Sequence, residues 1–95
     1  MTEEKIMTRH PAGKSGVNIL KRRYEIIKSF ILEVLEAHPN ITFKDLSSHA
    51  VVALADSFDG KIMWYITTVK LDLEARGIIE RVPKTSPQQL RLPYN

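Results

Sequence analysis

The stretch from Asp59 to Ile79 sets apolar side chains along two opposite lines of one helix. Ile62, Ile66, Val69 and Leu73 recur at i, i+4, i+7 and i+11, a spacing that gathers them on one face. Trp64, Thr68, Leu71 and Ala75 repeat that spacing on roughly the opposite side. A helix apolar on two sides is normally buried on two sides, so other elements, or a second chain, must wrap around this one. Asp59 is placed to cap its start, where a carboxylate accepts from free N–H groups and suits the positive helix end. Gly77 is placed to end it, because glycine takes the left-handed conformation without steric cost. Leu73 and Ile78 then fall where a Schellman cap brings its hydrophobic pair together. Ile78-Ile79 follows at once, so the helix runs directly into a strand.

The remaining elements are legible in order. Residues 1–17 hold Pro11, Gly13 and Gly16 among mixed charges and read as a turn-rich N-terminal arm, with a short strand at Ile6-Met7 or Val17–Ile19. Gly13-Lys14-Ser15 is like the end of a phosphate-binding loop, but that motif needs a glycine where Thr8 stands and a strand before it. Residues 18–95 read as a single domain. Its first helix is expected from Ile19 or Leu20 to Ala37, capped by Asn18, with Leu20, Tyr24, Ile27, Ile31 and Val34 as its core stripe, widened by Phe30 and Leu35. Pro39-Asn40 stops it. Thr42 and Asp45 then fit a capping box, and Ile41 and Leu46 a hydrophobic staple. The second helix carries Leu46, Ala50, Val51, Ala53 and Leu54 inward and ends near Ala55. Asp56–Gly60 links it to the third helix, a link slightly longer than the turn of a simple helix-turn-helix. Ile78–Val82 and Gln89–Leu92 read as two strands around a turn-rich tip. An isolated hairpin is marginal, so a third strand is expected from Ile41 or from the arm.

Composition excludes several chemistries. The 95 residues contain no cysteine, which removes disulfides and thiolate metal sites. His10, His38 and His49 stand in no metal-ligand spacing, and no serine has a nucleophile-elbow context. Asp72 and Glu74 are two apart on a helix and face different ways. No catalytic constellation, metal site or cofactor is expected. The longest apolar runs are too short to span a bilayer, and the polar start Met-Thr-Glu-Glu-Lys lacks a signal-peptide core. A cytoplasmic protein that uses no membrane is the expectation.

The net charge of +3 is unevenly spread. Residues 1–23 carry six basic and two acidic groups, residues 24–77 five basic and eight acidic, and residues 78–95 three basic and one acidic. A mildly acidic helical body therefore lies between basic flanks. The run Lys21-Arg22-Arg23 opens a helix, where cations are slightly unfavourable, so helix stability does not account for it.

Two segments carry a resemblance. Met63-Trp64-Tyr65 and Val69–Arg81, with Gly13-Lys14, the Tyr24 helix and Thr42-Phe43-Lys44, resemble a family of small uncharacterised bacterial proteins described as winged-helix, DNA-binding-like domains of unknown function. The helix-to-wing element is also similar to that of PadR-type winged-helix regulators. The resemblance implies a fold: mainly α with a small β-hairpin, a winged helix-turn-helix with a three-helix core and a C-terminal wing.

Two functions follow as expectations. The first is binding of duplex DNA, as in a small transcriptional regulator, held mainly through phosphates. Its candidate residues are Lys14, Lys21, Arg22 and Arg23 on one flank, Lys84 and Arg91 on the wing, and Lys61 at the start of the third helix. The acidic body, and Trp64 and Leu71 where base-reading polar groups belong, speak against it. The second is a winged-helix interaction module without DNA binding. There the stripe of Trp64, Leu71 and Ala75 meets a partner, with a homodimer favoured because symmetric pairs are the commonest assemblies.

Overall fold

A computed structural model describes residues 3–94. The elements run β1 (Lys5–Met7), β2 (Asn18–Leu20), α1 (Lys21–Ala37), β3 (Ile41–Thr42), α2 (Phe43–Leu54), α3 (Ile62–Ala75), β4 (Glu80–Arg81) and β5 (Gln89–Arg91). Among the described residues these make three helices and two small antiparallel sheets. β1 pairs with β2, placing Ile6 opposite Ile19. The second sheet has the order β3-β5-β4, and Leu90 of β5 stands opposite both Ile41 and Arg81. Ile41 therefore supplies the third strand, while the two places offered as alternatives for a single short strand near the arm both form one, the second shifted by a residue to Asn18–Leu20, and the two pair with each other.

α3 is the axis of the core. Ile66, Val69 and Leu73 are fully buried, and both α1 and α2 pack on this helix. Tyr24, Ile27, Ile31 and Leu35 come from α1, Leu46, Ala50 and Leu54 from α2. Ile79, Leu90 and Leu92 close the core from the sheet side. These are the apolar positions of each helical period, which is why the helices pack along those faces.

The end of α3 follows its local chemistry. Gly77 has φ +73, the Ile78 N–H donates to the Leu73 carbonyl at 2.9 Å, and the Gly77 N–H to the Glu74 carbonyl at 3.1 Å. This is the Schellman pattern. The Ile79 N–H also points at the Leu73 carbonyl, at 3.4 Å. Ile78 and Ile79 thus have their N–H groups turned back to the helix, so β4 begins at Glu80 rather than at Ile78. Thr42 caps α2, its hydroxyl accepting from the Asp45 N–H at 3.1 Å.

Three local expectations are corrected. Asn18 is not the cap of α1: it lies in β2 opposite Met7, Leu20 takes the cap position, and the Lys21 N–H donates to the Glu4 carbonyl of the arm at 2.9 Å. Asp59 is not the cap of α3 either, since Lys61 holds that position and no side chain caps it. Val51 and Ala53 of α2 are exposed, because Leu46, Ala50 and Leu54 already fill the face toward α3.

Leu73→Ala is expected to cost about 2–5 kcal/mol, as truncation of a fully buried leucine does. Gly77→Ala is expected to cost on the order of 1 kcal/mol, since alanine resists a positive φ. Thr42→Ala is expected to lose about 1 kcal/mol while Thr42→Ser is nearly neutral. Denaturant titration of the four variants checks these values; equal losses at Thr42→Ala and Thr42→Ser would assign the effect to the methyl group instead.

Candidate functional site

The arm is fastened to the helices by a buried carboxylate. Asp72 of α3 is 0% exposed. Its oxygens accept from the Arg9 backbone N–H at 2.8 Å, from the Arg76 Nε at 2.9–3.0 Å and from the Tyr24 hydroxyl of α1. Arg76 also donates to the Met7 carbonyl at 3.4 Å. Arm, α1 and α3 therefore meet at one carboxylate. Burial, and then the hydrogen bond to Asp72, raise the Tyr24 hydroxyl far above its ordinary pKa. Within the arm, Thr8 is buried and exchanges hydrogen bonds with Val17, each 2.9 Å. A Cβ on Gly16 would lie 1.7 Å from the Thr8 carbonyl oxygen, so the two arms of this loop close only on glycine. The closed arm and the Trp64, Thr68 and Leu71 side of α3 line a common cleft of about 160 Å³.

A second buried ionic cluster joins α3 to β4. The Lys70 amine lies 3.3 Å from Glu74 Oε2 and 5.2 Å from the centroid of the Phe43 ring. Glu74 Oε1 accepts from Arg81 at 2.7 Å. Burial lowers the Lys70 pKa. Lys70, Asp72, Glu74 and Arg76 are therefore all committed to partners inside the chain.

The basic run behaves alike. Arg22 donates to Asp59 at 3.1 and 3.2 Å and to Glu3 at 3.1 Å. Arg23 donates to Asp59 at 3.2 and 3.3 Å and to the Tyr65 hydroxyl at 2.9 Å. These two arginines hold the Asp59 carboxyl far below the usual carboxylate range. Lys21 pairs with Glu4 at 3.3 Å, and Arg91 with Glu80 at 2.8 Å. Lys14, Lys61 and Lys84 are exposed and make no ion pair among the described residues. Lys61 precedes α3, and Lys84 sits at the tip of the β4–β5 hairpin with φ +61.

What remains outward on α3 is uncharged. Met63 is 48% and Trp64 45% exposed. Thr67 is exposed too, but its hydroxyl donates to the Met63 carbonyl of its own helix at 3.0 Å. Leu71 and Ala75 are half-buried. The Trp64 ring packs edge-on against Tyr65, centroids 4.9 Å apart. On the other flank, Met63 borders a groove of about 520 Å³ shared with α2, lined by Phe43, Lys44, Ser47, Val51 and Val52. Val52 is 82% exposed. Ser47 is 7% exposed, and its hydroxyl oxygen has no hydrogen-bond partner among the described residues.

Of the residues singled out in the sequence, the structure brings Arg22 and Arg23 together on Asp59, and sets Trp64 and Leu71 on one side of α3. Lys14, Lys61 and Lys84 belong to three separate segments. The Asp72 cluster and the α2 groove were missed. The first had a signal: Tyr65, Val69, Asp72 and Arg76 share the i, i+4, i+7, i+11 spacing, which places an acid and its i+4 base on a half-apolar line. The groove had none beyond the adjacent pair Val51-Val52, which reads equally well as core.

Among the described residues, no three His, Cys, Asp or Glu side chains gather as a metal site would need, and no helix is long and apolar enough to cross a membrane. The geometry is that of a small α/β domain carrying an apolar outer helix face, with its charges paired inward. Residues 5–90 match the family of unknown function designated DUF6958, and the chain belongs to that family. No curated protein and no solved structure matches it.

The Tyr24 hydroxyl gives a pH test. Its folded pKa lies above its unfolded value, so its contribution is fully present below about pH 10 and is lost as pH rises toward the folded pKa. Stability is expected to fall in that alkaline range, and Tyr24→Phe to flatten the fall. Denaturant midpoints measured across alkaline pH check this; an unchanged slope in the variant would detach Tyr24 from the effect.

Proposed function

We propose that this chain is a winged-helix interaction module that meets a protein partner through the outward face of α3 and the adjoining groove of α2. The order of helix, short strand, two helices and hairpin supports the winged-helix reading, since β3 pairs with β5 and β5 with β4. The observation that carries the functional reading is the character of that face. A helix that reads base edges presents polar and basic side chains. Here Met63, Trp64 and the self-bonded Thr67 face out, while the charged residues of the helix point inward. An exposed aromatic beside an exposed methionine, ringed by the polar and charged groups Arg23, Asp59, Lys61 and Lys44, matches the apolar centre and polar rim of a protein interface. The test is to place p-benzoylphenylalanine at Thr67, irradiate cells producing the protein, and identify the adduct. Protein adducts are expected; nucleic-acid adducts as the main product would overturn the reading.

A second reading, duplex DNA held through phosphates, is favoured by Lys61 and Lys84, exposed cations without ion partners among the described residues, at the start of α3 and at the wing tip. Arg91 supports it less, because Glu80 already binds it. If DNA is bound in this way, Lys61→Ala and Lys84→Ala each lower the salt slope of binding by about one. A low-salt titration with no binding to any duplex removes this second reading.

A further inference from the structure

We propose that His38 and His49 form a surface site for a divalent transition-metal ion of the zinc class, bound as a clip between the end of α1 and the body of α2. The pair lines neither the groove beside Met63 nor the cleft beside Trp64, and the proposal stands apart from the interaction reading.

The first observation is the approach of the two rings. His38 is the C-cap residue of α1 and His49 lies within α2. Their ring centres are 5.2 Å apart and their planes 31° from parallel. Bonds of about 2.0–2.1 Å to one ion, at a tetrahedral angle, set the centres of two ligating imidazoles about 5 Å apart. The pair already stands at that separation, so an ion asks for rotation of the rings and not for movement of the backbone. A tight turn brings the two residues together, which is why no helical ligand spacing marks them in the sequence.

The second is that both rings are free. Both residues are exposed, and neither ring makes a hydrogen bond or ion pair among the described residues. The third histidine differs: His10 Nδ1 already accepts from the Ala12 N–H at 3.0 Å. A neutral imidazole keeps one unprotonated nitrogen, the donor that zinc, nickel and copper ions take.

The third is rigidity. The His38 N–H donates to the Val34 carbonyl at 2.8 Å, and the His38 carbonyl accepts from the Ile41 N–H at 3.2 Å. Asn40, with φ +62, closes that turn, Ile41 is buried in β3, and Thr42 caps α2. The two backbones are therefore fixed relative to each other, and less freedom is lost when both rings share an ion.

The fourth is the local field. The C-terminal end of a helix favours a cation. No basic residue occupies the last turn of α1, where Glu36 stands. On α2, Asp45 precedes His49 by one turn on the same face, is exposed, and makes no ion pair among the described residues. Two imidazoles are the protein's donors, water completes the coordination, and these carboxylates offset the charge of the ion.

The experiment is calorimetric titration of the full chain with zinc chloride at neutral pH, beside the variants His38→Gln, His49→Gln and His10→Gln, each checked for folding by circular dichroism. The wild type is expected to take one ion. His38→Gln and His49→Gln are each expected to raise Kd by roughly tenfold or more, and the double variant to lose little further, because a chelate fails once either donor is gone. His10→Gln should bind as the wild type does. Magnesium, a hard cation that prefers oxygen, should not bind there. Zinc should also raise the unfolding midpoint of the wild type and leave that of either single variant in place, since only the folded chain holds the two rings together. Long-range proton–nitrogen spectra of the wild type give a readout that needs no variant: the His38 and His49 rings should shift together within one equivalent of zinc, with His10 still. A wild type that binds no zinc overturns the proposal. So does a Kd unchanged by His38→Gln or His49→Gln, or an equal loss in all three variants, which would mean an adventitious ion only.

Discussion

A single buried carboxylate holds the arrangement together. A charge taken out of water is tolerated only when it is paired and hydrogen-bonded. Asp72 meets that demand with groups from three places in the chain: Arg76 one turn on, Tyr24 from α1, and the Arg9 backbone N–H from the arm. Breaking such a cluster by removing one partner costs far more than the cluster's net worth, because the remaining charge stays buried. The arm is therefore tied to the body by more than its three-residue strands. Its register against α3 is set by a backbone N–H at Arg9 and a backbone carbonyl at Met7, neither of which depends on the side chain at its position.

The same economy of charge shapes the surface. Lys70, Asp72 and Glu74 lie within α3 and Arg76 at its C-cap, and each finds its counter-ion inside the chain. With those groups turned inward, the outer side of α3 is left to Met63, Trp64 and Thr67. The basic run at Lys21–Arg23 is likewise matched by Glu3, Glu4 and Asp59. Only half of the fourteen lysines and arginines are thus matched by an acid among the described residues, and net charge alone is a poor guide to what the surface attracts.

Much of the architecture was legible because local rules and packing agree. Thr42 caps its helix, Gly77 ends the next one in a left-handed turn, and the i, i+4, i+7 lines bury Tyr24, Ile27 and Ile31 of α1 and Ile66, Val69 and Leu73 of α3, whereas the second line of α3 leaves Trp64 exposed. Where tertiary contacts supply a backbone partner, the local rule lost. Glu4 satisfies the first N–H of α1, so Asn18 is free to join a strand, and two arginines claim Asp59 before it can serve as a cap. The candidate site was less legible for the same reason. Whether a lysine or an arginine is available to a ligand depends on acids distant in sequence, such as Asp59 for Arg22 and Glu80 for Arg91. Val51 and Val52 carry the apolar signal of a core, and only the packing of α2 on α3 shows which way they face.

Thr42 has a consequence that reaches beyond its cap. Its backbone pairs with Gln89 in the sheet while its hydroxyl holds the first turn of α2, and the next residue, Phe43, donates its N–H to the Gln88 carbonyl at 2.9 Å. Strand and helix share a junction with no spacer between them. The hairpin cannot peel away without uncapping α2, so their amide protons should exchange with solvent as one cooperative unit rather than as a fraying edge and a separate helix. A hairpin of two- and three-residue strands thereby acquires the protection of the helix that it abuts.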